Sequence, residues 1–478
     1  MNRTLLAALI LAVLAVGAVA ERKIIRPDPS RNRRKELRDY REWTKVAEGK
    51  EEDYYDILYV PTGFAASMMC SGLFLDNMSE EEVLEYDVDI AGIVSEIEID
   101  YDEKSVTTRM LNSGENELKS IYREGVGCTI VFPVITEEEL RAQYLGDMSP
   151  LPPLNETEEW PLGNWVDPTA PEGVDMETLQ AVVDADFANE RTNTRAIIVV
   201  YKGKIVLEQY KPGMGRQNRF LGWSMTKSVN AALVGIMTGE GRLAVDERIP
   251  VPEWEDESDP RHNITVGNML NMASGLNWLE GLNIPQGLYM QNGDCAGYAA
   301  GRSLRDPINS VFEYSTGTST ILARTVHQVR ANNGLTDFEF PRAALFSKIG
   351  MNTAVIEPHL DGYHLGGSNM HASALDWARF GLLNMRYGEW VDGNRILPEG
   401  WVEYSCTPSD AYGGYGAQWW VGNSPEAGTC RMSGFRGQSV HTMKTKDLMV
   451  VRLSMPKFVF TGAHESGDFI RGIYDCFP

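Results

Sequence analysis

Apolar residues spaced for one helical face, Val229, Leu233, Val234, Ile236 and Met237, begin directly behind Ser224-Met225-Thr226-Lys227 and stop at Gly239 and Gly241. This segment constrains the chain more than any other. A helix starting at Ser224 puts its hydroxyl at the positive end of the dipole and leaves its amide free to donate. Lys227, three residues on, shares that face. A weak nucleophile, a base within reach and an anion-stabilising amide in one turn suit acyl transfer. The simpler alternative is that Ser224 only caps the helix. Upstream, Arg195–Tyr201 and Ile205–Leu207 flank Lys202-Gly203-Lys204 and predict a hairpin turning at Gly203. A second serine three before a lysine, Ser454 and Lys457, follows the apolar run Leu448–Val451, and Pro456 reads there as the end of a strand.

Further landmarks follow in order. Gly241–Asp246 precedes Ile264–Leu270 and Ala273–Leu276, then Tyr314-Ser315-Thr316-Gly317, Asp376–Gly381 and Gly434-Phe435-Arg436-Gly437-Gln438. With the Ser224–Lys227 helix, this set resembles the serine β-lactamase and penicillin-binding-protein superfamily. The similarity is to the branch holding class C β-lactamases, lipolytic esterases and 6-aminohexanoate-dimer hydrolase, and it spans about residues 180 to 478. It implies an α/β (α+β) fold, an antiparallel sheet flanked by helices beside an all-helical subdomain. It also implies a hydrolase that forms an acyl-enzyme on Ser224.

By the same resemblance, Lys227 is the amine that shares the serine's proton, which requires a lowered pKa. Tyr314 is the base for attack or the relay to the leaving group, with a half-buried core tyrosine as the plainer alternative. The oxyanion hole takes the backbone amides of Ser224 and Gln438. Thr316, Phe435, Arg436 and Gly437 line the substrate. Gly434 and Gly437 are expected to let the backbone pass close to a bound acyl group.

Two departures narrow the substrate. Thr316 stands where the family has an asparagine that meets substrate amides. Phe435-Arg436-Gly437 stands where Lys-Thr-Gly would bind a penicillin carboxylate, and strand alternation is expected to turn Arg436 away from Phe435's side. Both favour a small amide or ester. The rivals are a D-amino-acid peptidase or weak β-lactamase, and a non-hydrolysing sensor that is acylated without turnover.

The 478 residues carry a net charge of −23, which disfavours nucleic-acid partners. Residues 1–20, uncharged from Leu5 and ending Ala18-Val19-Ala20, read as a signal peptide for a periplasmic or secreted protein. The basic linker 21–45 holds ten Lys/Arg against five Asp/Glu; it keeps an N-terminal membrane anchor open and is the only segment suited to lipid contact. Residues 46–145 are expected to form a small N-terminal region, 146–175 a Pro-rich linker, and 176–478 the hydrolase domain. Six cysteines allow up to three disulfides, with the pairing open. No cofactor or metal is expected, since the cysteines and histidines do not cluster.

Overall fold

The computed structural model describes residues 23–25, 59–89, 94–110, 117–132, 134–281, 294–330, 334–360, 363–422, 424–457 and 466–478. The expected signal peptide, 1–20, and most of the expected basic linker lie outside these residues. Two compact units emerge, one of residues 1–144, 284–294 and 358–361, the other of 145–283, 295–357 and 362–478.

In the first unit, strands β1 (Lys23–Ile25), β2 (Val94–Asp100), β3 (Ser105–Met110), β4 (Glu117–Arg123) and β5 (Gly127–Val131) form one sheet in that order. Only β1 runs parallel to its neighbour, so part of the expected basic linker is a sheet edge. Alternation sends Ile97 and Ile99 of β2 inward, toward helix α1 (Tyr59–Cys70) with its buried Ala65, Ala66 and Met69. The Thr108 hydroxyl donates to the Thr62 carbonyl at 2.7 Å, and a Cys70–Cys128 disulfide ties α1 to β5.

The second unit is built on a six-stranded antiparallel sheet. Along the chain come helix α2 (Met176–Ala188), strands β6 (Thr194–Tyr201) and β7 (Lys204–Tyr210), β8 (Phe220–Leu221) and helix α3 (Met225–Gly239). Helix α4 (Thr316–Val329), β9 (Val355–Ile356), β10 (Met370–Ala372) and helix α5 (Ala374–Met385) follow. Last are β11 (Trp420–Gly422), β12 (Thr429–Gly434), β13 (Gln438–Met443), β14 (Leu448–Ser454) and helix α6 (Ser466–Asp475). The large sheet has the order β11-β12-β13-β14-β6-β7, and β8-β10-β9 form a small second sheet. The β6–β7 hairpin turns at Lys202 and Gly203, both at positive φ, as a two-residue turn between twisted strands demands.

One face of the large sheet buries Ile197, Val199, Met443 and Val450 under Leu179 and Val183 of α2 and Ile470 and Ile473 of α6. An ion pair locks α2 there: Arg452 of β14 grips both oxygens of Asp186 at 2.8 and 2.9 Å, and Thr194 adds a hydroxyl at 2.6 Å. The other face carries α5. A Cβ on its Gly381 would strike the Met449 sulfur, so the late-helix motif ends in glycine because helix and sheet touch backbone to side chain.

The Pro-rich stretch 146–175 is irregular chain that packs onto α5. Arg379 of α5 donates to the Pro161 and Gly163 carbonyls at 3.0 and 2.8 Å, and its guanidinium lies 4.6 Å from the ring centroid of buried Trp160. The cysteines give two bonds, Cys70–Cys128 and Cys406–Cys430, while Cys295 and Cys476 are buried thiols. Disulfides point to maturation in an oxidising compartment. No helix among the described residues is long and apolar enough to cross a membrane.

Candidate active site

Ser224 ends a strained turn. Trp223 has φ +48°, a left-handed value that is costly for a bulky side chain. Surrounding bonds hold it: Gly222 N–H donates to the Met370 carbonyl of β10 at 2.8 Å, and the Thr226 hydroxyl donates to the Trp223 carbonyl at 2.7 Å. The Ser224 side chain does not cap α3. Its hydroxyl is turned inward instead, and its amide is one of the N–H groups a helix start leaves without an intrahelical partner.

Lys227 lies one turn into α3 and is 1% exposed. Its Nζ has three oxygen neighbours: Ser224 Oγ at 3.0 Å, Thr316 Oγ at 2.8 Å and the Gly367 carbonyl at 2.8 Å. Burial drives its pKa down to about 8, against an opposing pull from Glu280, whose carboxylate stands 4.0 Å away. Tyr314, just ahead of α4, completes the group. Its phenol hydrogen-bonds Ser224, and its ring centroid lies 4.8 Å from Lys227 Nζ. Burial holds that phenol well above the usual tyrosine range, so it is a neutral O–H donor at ordinary pH. The ring stacks on Trp420 at 5.4 Å and meets Tyr415 edge-on at 5.9 Å. A hydroxyl, an amine and a phenol drawn from two helix starts thus meet at one point.

Thr316 takes part through its hydroxyl, beside Lys227. The other expected site residues divide. Phe435 is 39% exposed and packs edge-on against Trp223, ring centroids 5.4 Å apart, so it forms an apolar rim next to the serine. Arg436 is 3% exposed and donates to the Pro456 carbonyl at 2.8 Å. The reason is a turn and not strand alternation: Phe435–Gly437 is a tight connection from β12 to β13, with Arg436 and Gly437 at φ +61° and +86°.

The glycines there also answer to the chain itself. A Cβ on Gly434 would strike the Gly222 carbonyl, and one on Gly437 the Ser454 hydroxyl. Gln438 opens β13 paired with Gly434, and its side-chain oxygen accepts from Ser454 N–H at 3.1 Å. Ser454, of the second serine–lysine pair, is the last residue of β14 and donates to the Arg436 carbonyl at 3.0 Å.

Two groups at this point were absent from the sequence reading. Glu280 accepts from Thr316 N–H at 2.8 Å, Thr316 Oγ–H at 2.5 Å and Trp278 Nε1–H at 2.6 Å. Gly367 supplies a carbonyl, and a Cβ there would sit 2.8 Å from Thr316 Cγ2. Neither bears a local signal: Gly367 lies in irregular chain, Glu280 is helical without an apolar period around it, and their roles arise from tertiary approach alone. Among the described residues, no group of three or more His, Cys, Asp or Glu side chains could hold a metal ion.

Fold and site together define a serine hydrolase of the type built on an antiparallel sheet with the serine at the head of a buried helix. The chain belongs to the β-lactamase family, whose profile matches residues 179–455. It is 26% identical over 302 residues to the 6-aminohexanoate-dimer hydrolase of Paenarthrobacter ureafaciens, a match covering 57% of this chain and 75% of that protein. A Bacillus anthracis protein provisionally titled a 6-aminohexanoate-dimer hydrolase shares the fold, with TM-score 0.52, 20% identity, and 62% of this chain and 80% of that one covered. So does a penicillin-binding-protein homologue from Caulobacter crescentus, with TM-score 0.51, 16% identity, and 65% and 99% covered.

Proposed function

We propose that this hydrolase cleaves a small, uncharged amide or ester through an acyl-enzyme on Ser224. The observation that carries the reading is the 3.0 Å contact between Ser224 Oγ and a buried lysine amine whose pKa is lowered to about 8. Lys227 accepts the hydroxyl proton as the Oγ lone pair bonds to the carbonyl carbon. The amides of Ser224 and Gln438 receive the developing oxyanion. Tyr314, kept neutral by burial, donates its proton to the departing amine or alkoxide and regains one from Lys227. Water then attacks the acyl carbon and the same relay runs in reverse, releasing the acid and free Ser224.

The site favours neutral substrates. Phe435 presents a ring where a carboxylate-binding cation would be needed, and Arg436 is committed to Pro456. The likeness to 6-aminohexanoate-dimer hydrolase supports a linear amide, and the Trp223–Phe435 rim supports an apolar acyl portion. Export by residues 1–20, followed by oxidation of the two cysteine pairs, accords with the disulfides.

A substrate screen on the purified chain and on Ser224→Ala tests the reading. Turnover of p-nitrophenyl esters or linear amides, slow turnover of a chromogenic cephalosporin and none by Ser224→Ala are expected. Full activity of Ser224→Ala overturns the reading. Stable labelling by a fluorophosphonate without any substrate turnover would make the protein an acylated sensor instead.

A further inference from the structure

We infer that Glu280 is a positioning residue: acting through the Thr316 hydroxyl, its carboxylate sets the direction of the hydrogen bonds around Lys227 so that the amine's lone pair faces Ser224. The inference rests on the acyl-transfer reading above and concerns how its base is aimed.

The argument is a count of protons. Thr316 has one hydroxyl proton and two heavy-atom neighbours, Glu280 Oε1 at 2.5 Å and Lys227 Nζ at 2.8 Å. A carboxylate oxygen can only accept, so the Thr316 proton belongs to Glu280. Toward Lys227, Thr316 therefore offers a lone pair. The Gly367 carbonyl, 2.8 Å from Nζ, likewise can only accept.

A neutral lysine amine has two N–H bonds and one lone pair. With both N–H bonds directed to Thr316 and Gly367, the lone pair is left for the third neighbour, Ser224 Oγ at 3.0 Å. That is the one arrangement in which the Ser224 O–H proton can pass to nitrogen without prior rearrangement. Reversing the Thr316 hydroxyl would put a proton against Nζ, occupy the lone pair and leave an N–H facing the nucleophile.

Glu280 is anchored for this task. Beyond the Thr316 hydroxyl it receives Thr316 N–H at 2.8 Å and Trp278 Nε1–H at 2.6 Å, so it cannot turn away without losing three bonds. At 4.0 Å from Nζ it makes no direct hydrogen bond to the amine, though its charge reaches it. Among the described residues, the titratable groups facing Lys227 are Glu280 and Tyr314, with Tyr415 behind the Tyr314 ring. Glu280 is the acidic one.

Glu280→Gln is the test, because it keeps the shape and inverts the polarity. If the amide oxygen stays with Thr316 N–H and Trp278, the amide NH2 meets Thr316 Oγ and sends that hydroxyl's proton to Lys227. Ester kcat is expected to fall about 10²-fold, the lower end for lost proton-transfer assistance. The midpoint of the rise of kcat/KM with pH should also move to lower pH, since a negative charge is gone and the amine has become an acceptor. A merely structural role would lower the plateau or the melting temperature and leave the midpoint in place.

Thr316→Val should reproduce the loss of kcat, and Thr316→Ser should rescue it by restoring a hydroxyl. If Glu280→Gln does not fold, this pair decides, and equal activities overturn the inference. Wild-type kcat and an unmoved midpoint in Glu280→Gln, with Ser224→Ala inactive, overturn the role of Glu280 and leave acyl transfer standing. Activity in Ser224→Ala overturns acyl transfer itself.

Discussion

The pH dependence of turnover follows from where Lys227 is buried. Its pKa of about 8 reflects desolvation of a side chain only 1% exposed, partly offset by Glu280. The displacement from the ordinary lysine value near 10.5 corresponds to about 3 kcal/mol of differential interaction. Attack by Ser224 needs the neutral amine, so kcat/KM must rise with pH. About one Lys227 in ten is neutral at pH 7 and about nine in ten at pH 9, which gives a roughly tenfold rise and then a plateau. An unperturbed lysine would give about a hundredfold rise over the same interval and no plateau below about pH 10.

Initial rates with a p-nitrophenyl ester between pH 6 and 9.5, corrected for spontaneous hydrolysis, distinguish the two. A rate independent of pH, or one still climbing through the top of the range, refutes the argument. The same shift affects stability. With the folded-state pKa below the unfolded value, the ammonium is disfavoured in the folded protein. The group therefore disfavours folding by up to about 3 kcal/mol below pH 8, and this is relieved as pH rises from about 8 to 10.5.

Tyr314→Phe should lower kcat about 10²–10⁴-fold with the fold intact by circular dichroism, and wild-type turnover would route the leaving-group proton elsewhere. Asp186→Ala leaves Arg452 buried without its carboxylate and should lower unfolding free energy by about 3–5 kcal/mol in urea titration; a change under 1 kcal/mol would show that the pair contributes little. Cys406→Ser opens a loop closed across a separation of 24 residues and should cost about 3 kcal/mol in urea titration; a change under 1 kcal/mol would show that the bond contributes little.

The sequence was most informative where structure is local. The apolar period behind Lys227 gave the buried helix, Gly203 gave the hairpin turn, and Pro456 marked the end of β14 beside Ser454. The motif around Asp376 gave a helix whose glycine is required by contact with Met449. Long-range geometry was less accessible. Glu280 and Gly367 reach Thr316 and Lys227 from segments far along the chain, and no periodicity marks them.

Phe435–Gly437 misled for a related reason. Read as strand, it alternates; folded as a turn, it exposes Phe435 and buries Arg436 through left-handed backbone angles that no side-chain pattern announces. The prolines of 146–175 suggested a linker, yet the carbonyls that proline-rich chain leaves unpaired are what Arg379 collects.

Intact-protein mass spectrometry of the enzyme mixed with a slowly released ester tests the covalent step most directly. The account predicts a transient mass increase equal to the acyl group, mapped by proteolysis to the peptide bearing Ser224 and absent from Ser224→Ala. Turnover with no adduct at any time, or an adduct on another residue, would contradict it.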